Sequence, residues 1–317
     1  MTRKHVLVGC LMMCCCLLTP ALTLGQEKIQ IGTAPQGGTY YALGAGIAQI
    51  LNKWGGLNAT AQSTGGGVQN CRLIDAGEIV MATLAGQQIV DAYKGEKPFT
   101  KKIDLRVGFF MDESPFAVVV LDNSPIKSFY DMKGKKVAVG AMGSGVEGKI
   151  RLIFGPHGLN YENFTPTFIG MAQATDALKD GMVDAAVIMG PLPVAAITEI
   201  SVMKKVRILP LADEMIGKIS NTYPYLLPFV IPPNTYKNQP NEVKTLAEAS
   251  FIVFSHKMTD DVAYRITKTT FEHLDHLATI HKAAEKFSIK KAGEFEIGVP
   301  YHAGAIKYYR EAGVWKK

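Results

Sequence analysis

Apolar residues recur along this chain in two matching sets. Leu43, Ile47, Ile50 and Leu51 follow the i, i+4, i+7, i+8 spacing of one helix face, and Val146, Ile150, Ile153 and Phe154 repeat it 103 residues later. Each stripe follows a glycine-rich loop, and each loop follows a short alternating strand, Ile29 and Ile31 in the first copy and Val137 and Val139 in the second. Two ten-residue, glycine-bounded apolar segments close the copies, GEIVMATLAG from Gly77 to Gly86 and GMVDAAVIMG from Gly181 to Gly190. In full, the first copy predicts strand Ile29 to Thr33, helix Tyr40 to Trp54, strand Ala59 to Ser63, helix Val68 to Ala76 and strand Ile79 to Leu84. The second predicts strand Lys136 to Gly140, a helix ending at Phe154, strand Thr167 to Gly170, helix Ala172 to Asp180 and strand Val183 to Met189. Such βαβαβ order predicts mostly parallel sheets covered by helices. The fold class expected is therefore α/β with two lobes and a cleft between them.

Between the copies, the apolar segments of Val107 to Leu121 flank Asp112-Glu113-Ser114-Pro115 and suit a crossing between lobes, with a return expected at Pro228 to Pro233. A strand at Ala249 to Phe254 and helices at Asp260 to Leu274, Thr279 to Phe287 and Tyr301 to Glu311 then complete the first lobe, with Thr259 or Asp260 as a helix cap. The boundaries expected are a leader over 1–25, lobe I over 26–115 and 229–317, and lobe II over 116–228.

The leader changes the picture of where the chain works. Arg3 and Lys4 precede 13 uncharged residues from Val6 to Leu18, and Pro20 and small residues lead to Gly25. This is the layout of a secretory signal peptide, and the run is shorter than the ~18 residues that a spanning helix needs. The expected location is the periplasm. Four of the five cysteines fall in the leader, so the mature chain keeps only Cys71, read as a small buried side chain on its helix. Losing Arg3 and Lys4 lowers the formal charge from +6 to +4, spread thinly; without a basic stripe interleaved with aromatics, nucleic-acid binding is not expected.

In parallel sheets, ligands lie beyond the carboxyl ends of strands, where helix N-termini offer unpaired N–H groups and partial positive charge. Gly37-Gly38-Thr39, Thr64-Gly65-Gly66-Gly67, Gly143-Ser144-Gly145 and Gly170 are the loops so placed, and they suit an anion such as a carboxylate. Thr39 and Ser144 add hydroxyl donors and Tyr40 a phenol, whereas Tyr41 reads as core. Other chemistry is weaker. Gly143 to Gly148 matches G-x-G-x-x-G, but Glu162, near the spacing of the acidic residue that a nicotinamide nucleotide requires, sits in a turn-like stretch. Met142 replaces the first glycine of a nucleophile elbow around Ser144. His273, His276 and His281 read as solvated residues, and Arg72 and Arg151 as exposed or lobe-stabilising cations. No cofactor and no metal are expected.

The chain resembles the TAXI-type solute-binding proteins of TRAP (tripartite ATP-independent periplasmic) transporters. The resemblance rests on Ile31-Gly32-Thr33 leading to Gly37-Gly38-Thr39-Tyr40-Tyr41, on Gly67, Asn70, Arg72 and Leu73 before Ala76-Gly77-Glu78, and on Asp91-Ala92-Tyr93-Lys94-Gly95. It continues through Gly134 to Gly140, Gly143-Ser144-Gly145, Asp180-Gly181, Asp184-Ala185, His302, Gly304-Ala305 and Tyr308-Tyr309. It implies a monomeric, hinge-closing receptor that captures a small anionic solute, an amino acid such as glutamate or glutamine, a dicarboxylate or a 2-oxo acid. The receptor delivers that solute unaltered to an ion-gradient-driven permease. The alternatives are a ligand sensor for a membrane signalling receptor and an exported NAD-binding oxidoreductase. The ligand-binding positions expected are Gly38, Thr39, Tyr40, Thr64, Asn70, Gln87, Gly143, Ser144, Gly145, Gly190, Pro191 and Pro193. Two departures bear on specificity: Gly67 stands where relatives often carry serine, and Gln87-Gln88 replaces Ser-Asp. N-terminal sequencing of the exported protein is expected to start near Gln26; a product that retains Met1 would exclude cleavage.

Overall fold

The computed structural model describes residues 28–36, 39–291 and 293–315. The expected leader and Gly38 lie outside the described residues. The elements are β1 (Lys28–Gly32), α1 (Thr39–Trp54), β2 (Asn58–Gln62), α2 (Gly67–Ala76), β3 (Met81–Ala85), α3 (Gly86–Lys94) and β4 (Leu105–Leu121). They continue with β5 (Lys136–Ala138), α4 (Gly145–Phe154), β6 (Thr165–Thr167), α5 (Met171–Lys179), β7 (Ala185–Met189), α6 (Ala195–Met203), β8 (Val206–Leu209), α7 (Asp213–Thr222) and β9 (Leu226–Ile231). The last are β10 (Val243–Ser255), α8 (Asp260–Glu272), α9 (Leu274–Ile280) and α10 (Ala303–Glu311), with a 3-10 turn at Lys282–Lys286.

The two copies fold alike. β1 pairs in parallel with β2 and β3, and β5 pairs in parallel with β6 and β7. An antiparallel strand then flanks each set, β10 beside β3 and β4 beside β7. The strand order is β2-β1-β3-β10-β4-β7-β5-β6, so a single path of hydrogen bonds runs through both half-sheets. The join is the antiparallel ladder of β4 and β10, registered from Ser255 opposite Leu105 to Ala247 opposite Pro115, with bulges at Ser250/Phe251 and Ile252/Val253. β4 continues past Pro115 into the second half-sheet, where Phe116 to Val119 pair with β7 and Val118 to Leu121 with β8.

Both repeated stripes face the core: Leu43, Ile47, Ile50, Leu51, Ile153 and Phe154 are wholly covered, and Val146 is half-buried. The α1 stripe packs with Phe109, Ile252, Phe254, Ile266 and Tyr309 on one face of the first half-sheet. A second cluster covers the opposite face and runs on through Phe110, Phe251, Phe116, Phe129 and Phe154 into the second half-sheet. Each fully buried apolar side chain of this size contributes about 1.5–3 kcal/mol relative to exposure, so the strands that carry Phe109, Phe110 and Phe251 anchor both clusters.

Several boundaries differ from the sequence reading. Val107 to Leu121 lies within one 17-residue strand, Leu105–Leu121, because each half of it finds ladder partners. Pro228 to Pro233 does carry a strand, β9, but it pairs only with β10, and the 13-residue β10 is the long partner of β4. Helix expected from Thr279 to Phe287 is instead α9 followed by the 3-10 turn, since His281 adopts an extended backbone between them. The helices α3, α6 and α7 were not expected; α3 follows β3 with no loop.

His302 ties the C-terminal helix to α8. Its Nδ1 accepts the Gly304 N–H at 3.2 Å and its Nε2 donates to the Met258 carbonyl at 3.0 Å, which fixes a neutral imidazole. Asp260 at 3.6 Å is therefore an ion-pair partner only for a protonated ring. Burial holds the pKa of His302 below its usual 6.5, and His157 is depressed for the same reason. A group depressed on folding contributes stability above its unfolded pKa, and that stability is lost as the pH falls from about 6.5 through the folded value. His302→Asn, which can keep both bonds, is expected to flatten the fall in urea-unfolding free energy between pH 7 and pH 5. An unchanged slope would show that His302 does not carry it.

Candidate ligand site

α1, α2, α3, α4 and α6 all begin within a few residues of a preceding strand's carboxyl end, where helix N–H groups are unpaired, and the start of α1 and the turn before α6 come together at one cleft. Thr39, Pro191, Leu192, Pro193, His281, Lys282, Glu285 and Lys286 line a cleft of about 420 Å³ there. This falls within the roughly 300–1,000 Å³ range of small-molecule sites. Thr39, from the first copy, thus faces the Gly190-Pro191-Leu192-Pro193 turn of the second. Lys286 closes one side by donating from Nζ to the Leu192 carbonyl at 3.1 Å.

A second cluster lies between α3, β10 and α4. The Gln87 N–H donates to Glu248 Oε1 at 3.2 Å, Glu248 Oε2 meets Lys149 Nζ at 2.8 Å, and Lys149 donates to the Gly145 carbonyl at 3.0 Å. Glu248 occupies an anion position at a helix N-terminus with its own carboxylate, and Lys149, from the other copy, neutralises it. Both side chains are almost wholly covered, at 2% and 6% exposure, so this is a desolvated pair whose members depend on each other. Close backbone approach makes it possible: a Cβ on Gly86 would fall 2.5 Å from Tyr225 Cβ and 3.0 Å from the Ala249 carbonyl.

Ser144 caps α4 by accepting the Glu147 N–H at 3.2 Å, which leaves its own O–H available. Gly143 and Gly145 beside it are exposed, and Gly190 is half-buried. Thr64 and Asn70 have a different environment. The Asn70 amide donates to the Thr33 carbonyl at 2.7 Å and its oxygen accepts from Thr64 at 2.7 Å, while Thr64 also reaches the Thr33 carbonyl at 2.9 Å. Asn70 is fully buried, and the pair braces the loop that leads into α1. Gln87 is therefore linked to Gly145 through two charged residues, Thr39 lines the same cleft as Pro191 and Pro193, and Thr64 and Asn70 brace the first loop.

The two departures noted in the sequence are one contact. A Cβ at Gly67 would fall 2.8 Å from Gln88 Oε1 and 2.9 Å from its Cδ, and Gln88 uses that oxygen to accept the Ala85 N–H at 3.1 Å. The glutamine fills the space that a serine would use.

Tyr40, next to Thr39, points inward, and its hydroxyl meets Ser250 Oγ at 2.5 Å. Beside Ser250 stands Asp112, fully buried, with neither carboxylate oxygen in a hydrogen bond. Burial pushes Asp112 above the usual carboxylate range, while the Ser250 hydroxyl and the Lys286 ammonium pull it partway back. Burial also raises Tyr40. Asp91, on α3 near Gln87, is pushed up to about 6 by burial and by Glu96.

Sequence reading missed Asp112, Lys149, Glu248, Ser250 and Lys286. A signal was present in part: Lys149 interrupts the buried face of α4, and Glu248 sits inside an apolar strand. Opposite charges in two buried stripes need each other.

Arg72 and Arg151 are both exposed and away from the cleft; Arg151 lies over the Tyr161 ring at 5.7 Å. His273 and His276 pack edge-on against Trp54, and His281 accepts the Ala283 N–H at 3.1 Å. Among the described residues, no group of three or more His, Cys, Asp or Glu is placed to hold a metal, and no helix is long and apolar enough to cross a membrane. Glu162 sits in an exposed turn ahead of β6 instead of at a strand end. Cys71 is buried, with its thiol pushed up to about 12, chiefly by burial.

Helix starts from two linked half-sheets facing one cleft define the class of protein: the fold is α/β and periplasmic-binding-protein-like. The chain belongs to the NMT1-like family, whose pattern it matches over residues 31–313. Over 120 residues it is 31% identical to the putative aliphatic sulfonates-binding protein of Escherichia coli (strain K12), a stretch that covers 38% of this chain and 33% of that relative. Among solved structures, XAC2383 from Xanthomonas citri bound to ATP shares the fold with a TM-score of 0.52 at 10% identity, covering 91% of this chain and 97% of that one. The periplasmic aliphatic sulphonate binding protein SsuA from Escherichia coli gives 0.48 at 18% identity, covering 90% and 83%.

Lys149→Met alone is expected to cost about 3–5 kcal/mol of stability by leaving Glu248 buried and uncompensated, whereas Lys149→Met with Glu248→Leu should recover most of it. Equal urea midpoints for the single variant and the parent would show that the pair is not desolvated.

Proposed function

We propose that this chain is an extracytoplasmic solute-binding protein, not an enzyme. It captures a small acid between lobe I (26–115 and 229–317) and lobe II (116–228) and releases it unaltered to a membrane permease. The observation that carries this reading is the cleft in which Thr39 of the first copy faces Pro191 and Pro193 of the second across a space of small-molecule size. Backbone N–H groups at the helix starts, the free Ser144 hydroxyl and the cations Lys282 and Lys286 favour an acidic group. Closure would pivot where β4 passes Pro115, because that strand belongs to both half-sheets.

The motifs shared with TAXI proteins favour a TRAP permease as the partner, a monomeric receptor and a periplasmic location after cleavage of the leader. They favour a carboxylate ligand. The E. coli relative favours a sulfonate instead, and either acid suits an N–H-rich cleft. Docking on a signalling receptor would use the same closed form, and genomic adjacency to a multispan permease separates the two.

The test is a thermal-shift screen of residues 26–317 against amino acids, dicarboxylates, 2-oxo acids, alkanesulfonates and nicotinamide nucleotides, with mass spectrometry of whatever is retained. A true ligand at 100 times its Kd should add about 2.7 kcal/mol of stability. Ser144→Ala should weaken binding by about 0.5–3 kcal/mol and, through the lost cap, lower stability by about 1 kcal/mol. Recovery of chemically altered ligand, or a shift with nucleotides alone, would overturn the reading.

A further inference from the structure

A hydrogen bond joins the two sides of the cleft. Lys286 ends the 3-10 turn at Lys282–Lys286, and Leu192 lies on the turn between β7 and α6. Lys286 Nζ donates to the Leu192 carbonyl at 3.1 Å, and both residues line the cleft. The two ends belong to different cores. Ala284 and Phe287, which flank Lys286, are buried in the cluster that packs α1 on the first half-sheet. Leu192 packs against the cluster that holds Leu178, Ile188 and Ile197 of the second half-sheet.

Both ends are also braced. The Gly190 N–H donates to the Pro115 carbonyl at 3.4 Å and the Val194 N–H to the buried Tyr236 hydroxyl at 3.1 Å, which fixes the turn that presents the Leu192 carbonyl. On the other side, the Ala284 N–H donates to the His281 carbonyl and the Phe287 N–H to the Ala284 carbonyl, each at 3.0 Å. A bond between two held segments forms at this separation of the half-sheets and breaks when they part.

The ammonium has capacity left for a ligand. It carries three donors, of which the Leu192 carbonyl takes one. The acids that face it do not hold it: Glu113 is paired with Lys291 at 3.0 Å, and Asp112 is wholly buried with neither oxygen hydrogen-bonded. Burial pulls the Lys286 pKa below its usual value, while Asp112 and Glu113 push it up. A partly desolvated cation bonded only to a neutral carbonyl gains from an anion. Lys282, on the same turn, is exposed, and water already screens it.

We infer that Lys286 is the residue that couples recognition of the solute's acidic group to closure of the cleft. Its ammonium keeps the Leu192 carbonyl and takes the acid with its remaining donors, so both contacts are made only when the half-sheets are close. This rests on the solute-binding reading above and assigns its preference for charge to one side chain.

Two measurements on the chain from Gln26 test it, in the parent, Lys286→Met and Lys286→Arg. The first needs no ligand. Spin labels at Ser63→Cys and Ala172→Cys, both exposed on the cleft side of their half-sheets, report the separation by pulsed electron spin resonance. Lys286→Met is expected to lengthen and broaden the distance distribution, and Lys286→Arg to keep that of the parent. The second is calorimetric titration with ethanesulfonate against ethanesulfonamide and glutarate against glutaramide, extended to any other acid that the thermal-shift screen returns and its amide. The parent should bind at least one acid about 10- to 100-fold tighter than its amide, the value of hydrogen bonds to a charged group. Lys286→Met should reduce that preference to about 3-fold or less with the amide unaffected, and Lys286→Arg should restore it. Lys286 is half-buried, so the methionine variant is expected to fold, and an unfolding midpoint equal to that of Lys286→Arg verifies this. An unchanged distance distribution in Lys286→Met, an acid preference retained in it, or an amide bound as tightly as its acid would each overturn the inference and leave the receptor reading standing. If no acid binds the parent at all, the receptor reading itself falls, and the coupling with it.

Discussion

The antiparallel ladder between β4 and β10 is the constraint on which the rest of the molecule depends. Each strand is long enough to serve two neighbourhoods: β4 pairs with β10 and then with β7 and β8, and β10 pairs with β9 and then with β3. Without that overlap the two βαβαβ copies would be separate sheets. Phe109 and Phe110, on successive residues of β4, enter opposite clusters, so the ladder sets the position of both core layers at once. Bending there moves whole half-sheets, because a packed core transmits displacement instead of absorbing it.

The same crossing has an electrostatic cost. Asp112, Glu113 and Glu248 come within one short stretch of the ladder, where burial penalises every charge. Two of the three are answered from outside the ladder, Glu248 by Lys149 on α4 and Glu113 by Lys291 near the C-terminus. The Glu248–Lys149 pair also joins the two copies through Gln87 and Gly145, so it registers one half-sheet against the other as well as neutralising a buried acid. Asp112, wholly buried beside Ser250, has no such ion pair. A strand crossing built only for stability would be expected to carry apolar residues there.

The glycine-rich loops serve two purposes that the sequence alone does not separate. Around Ser144 the loop leaves a hydroxyl uncommitted as a donor and its backbone exposed. Around Thr64 and Asn70 similar residue types are turned inward and used up on Thr33. Gly67 illustrates the same point, since its missing side chain makes room for Gln88. Residue type suggested a ligand contact at all of these positions, whereas the direction of each side chain depends on neighbours far away in the chain.

By itself the sequence determined the duplication, the α/β class, the buried stripes of α1 and α4 and the placement of helix starts after strands. These follow from local periodicity and from glycines at fixed offsets, which act over a few residues. It also placed Thr39 and Ser144 at strand-to-helix junctions and read Pro191–Pro193 as a turn. Only the tertiary structure decided that β4 is continuous through Pro115, that β10 is its long partner, that Lys149 answers Glu248, and that Asp112 is left unpaired beside Ser250. Those outcomes depend on pairing between residues about a hundred or more apart, where register and burial set the energy and no local pattern reports the partner.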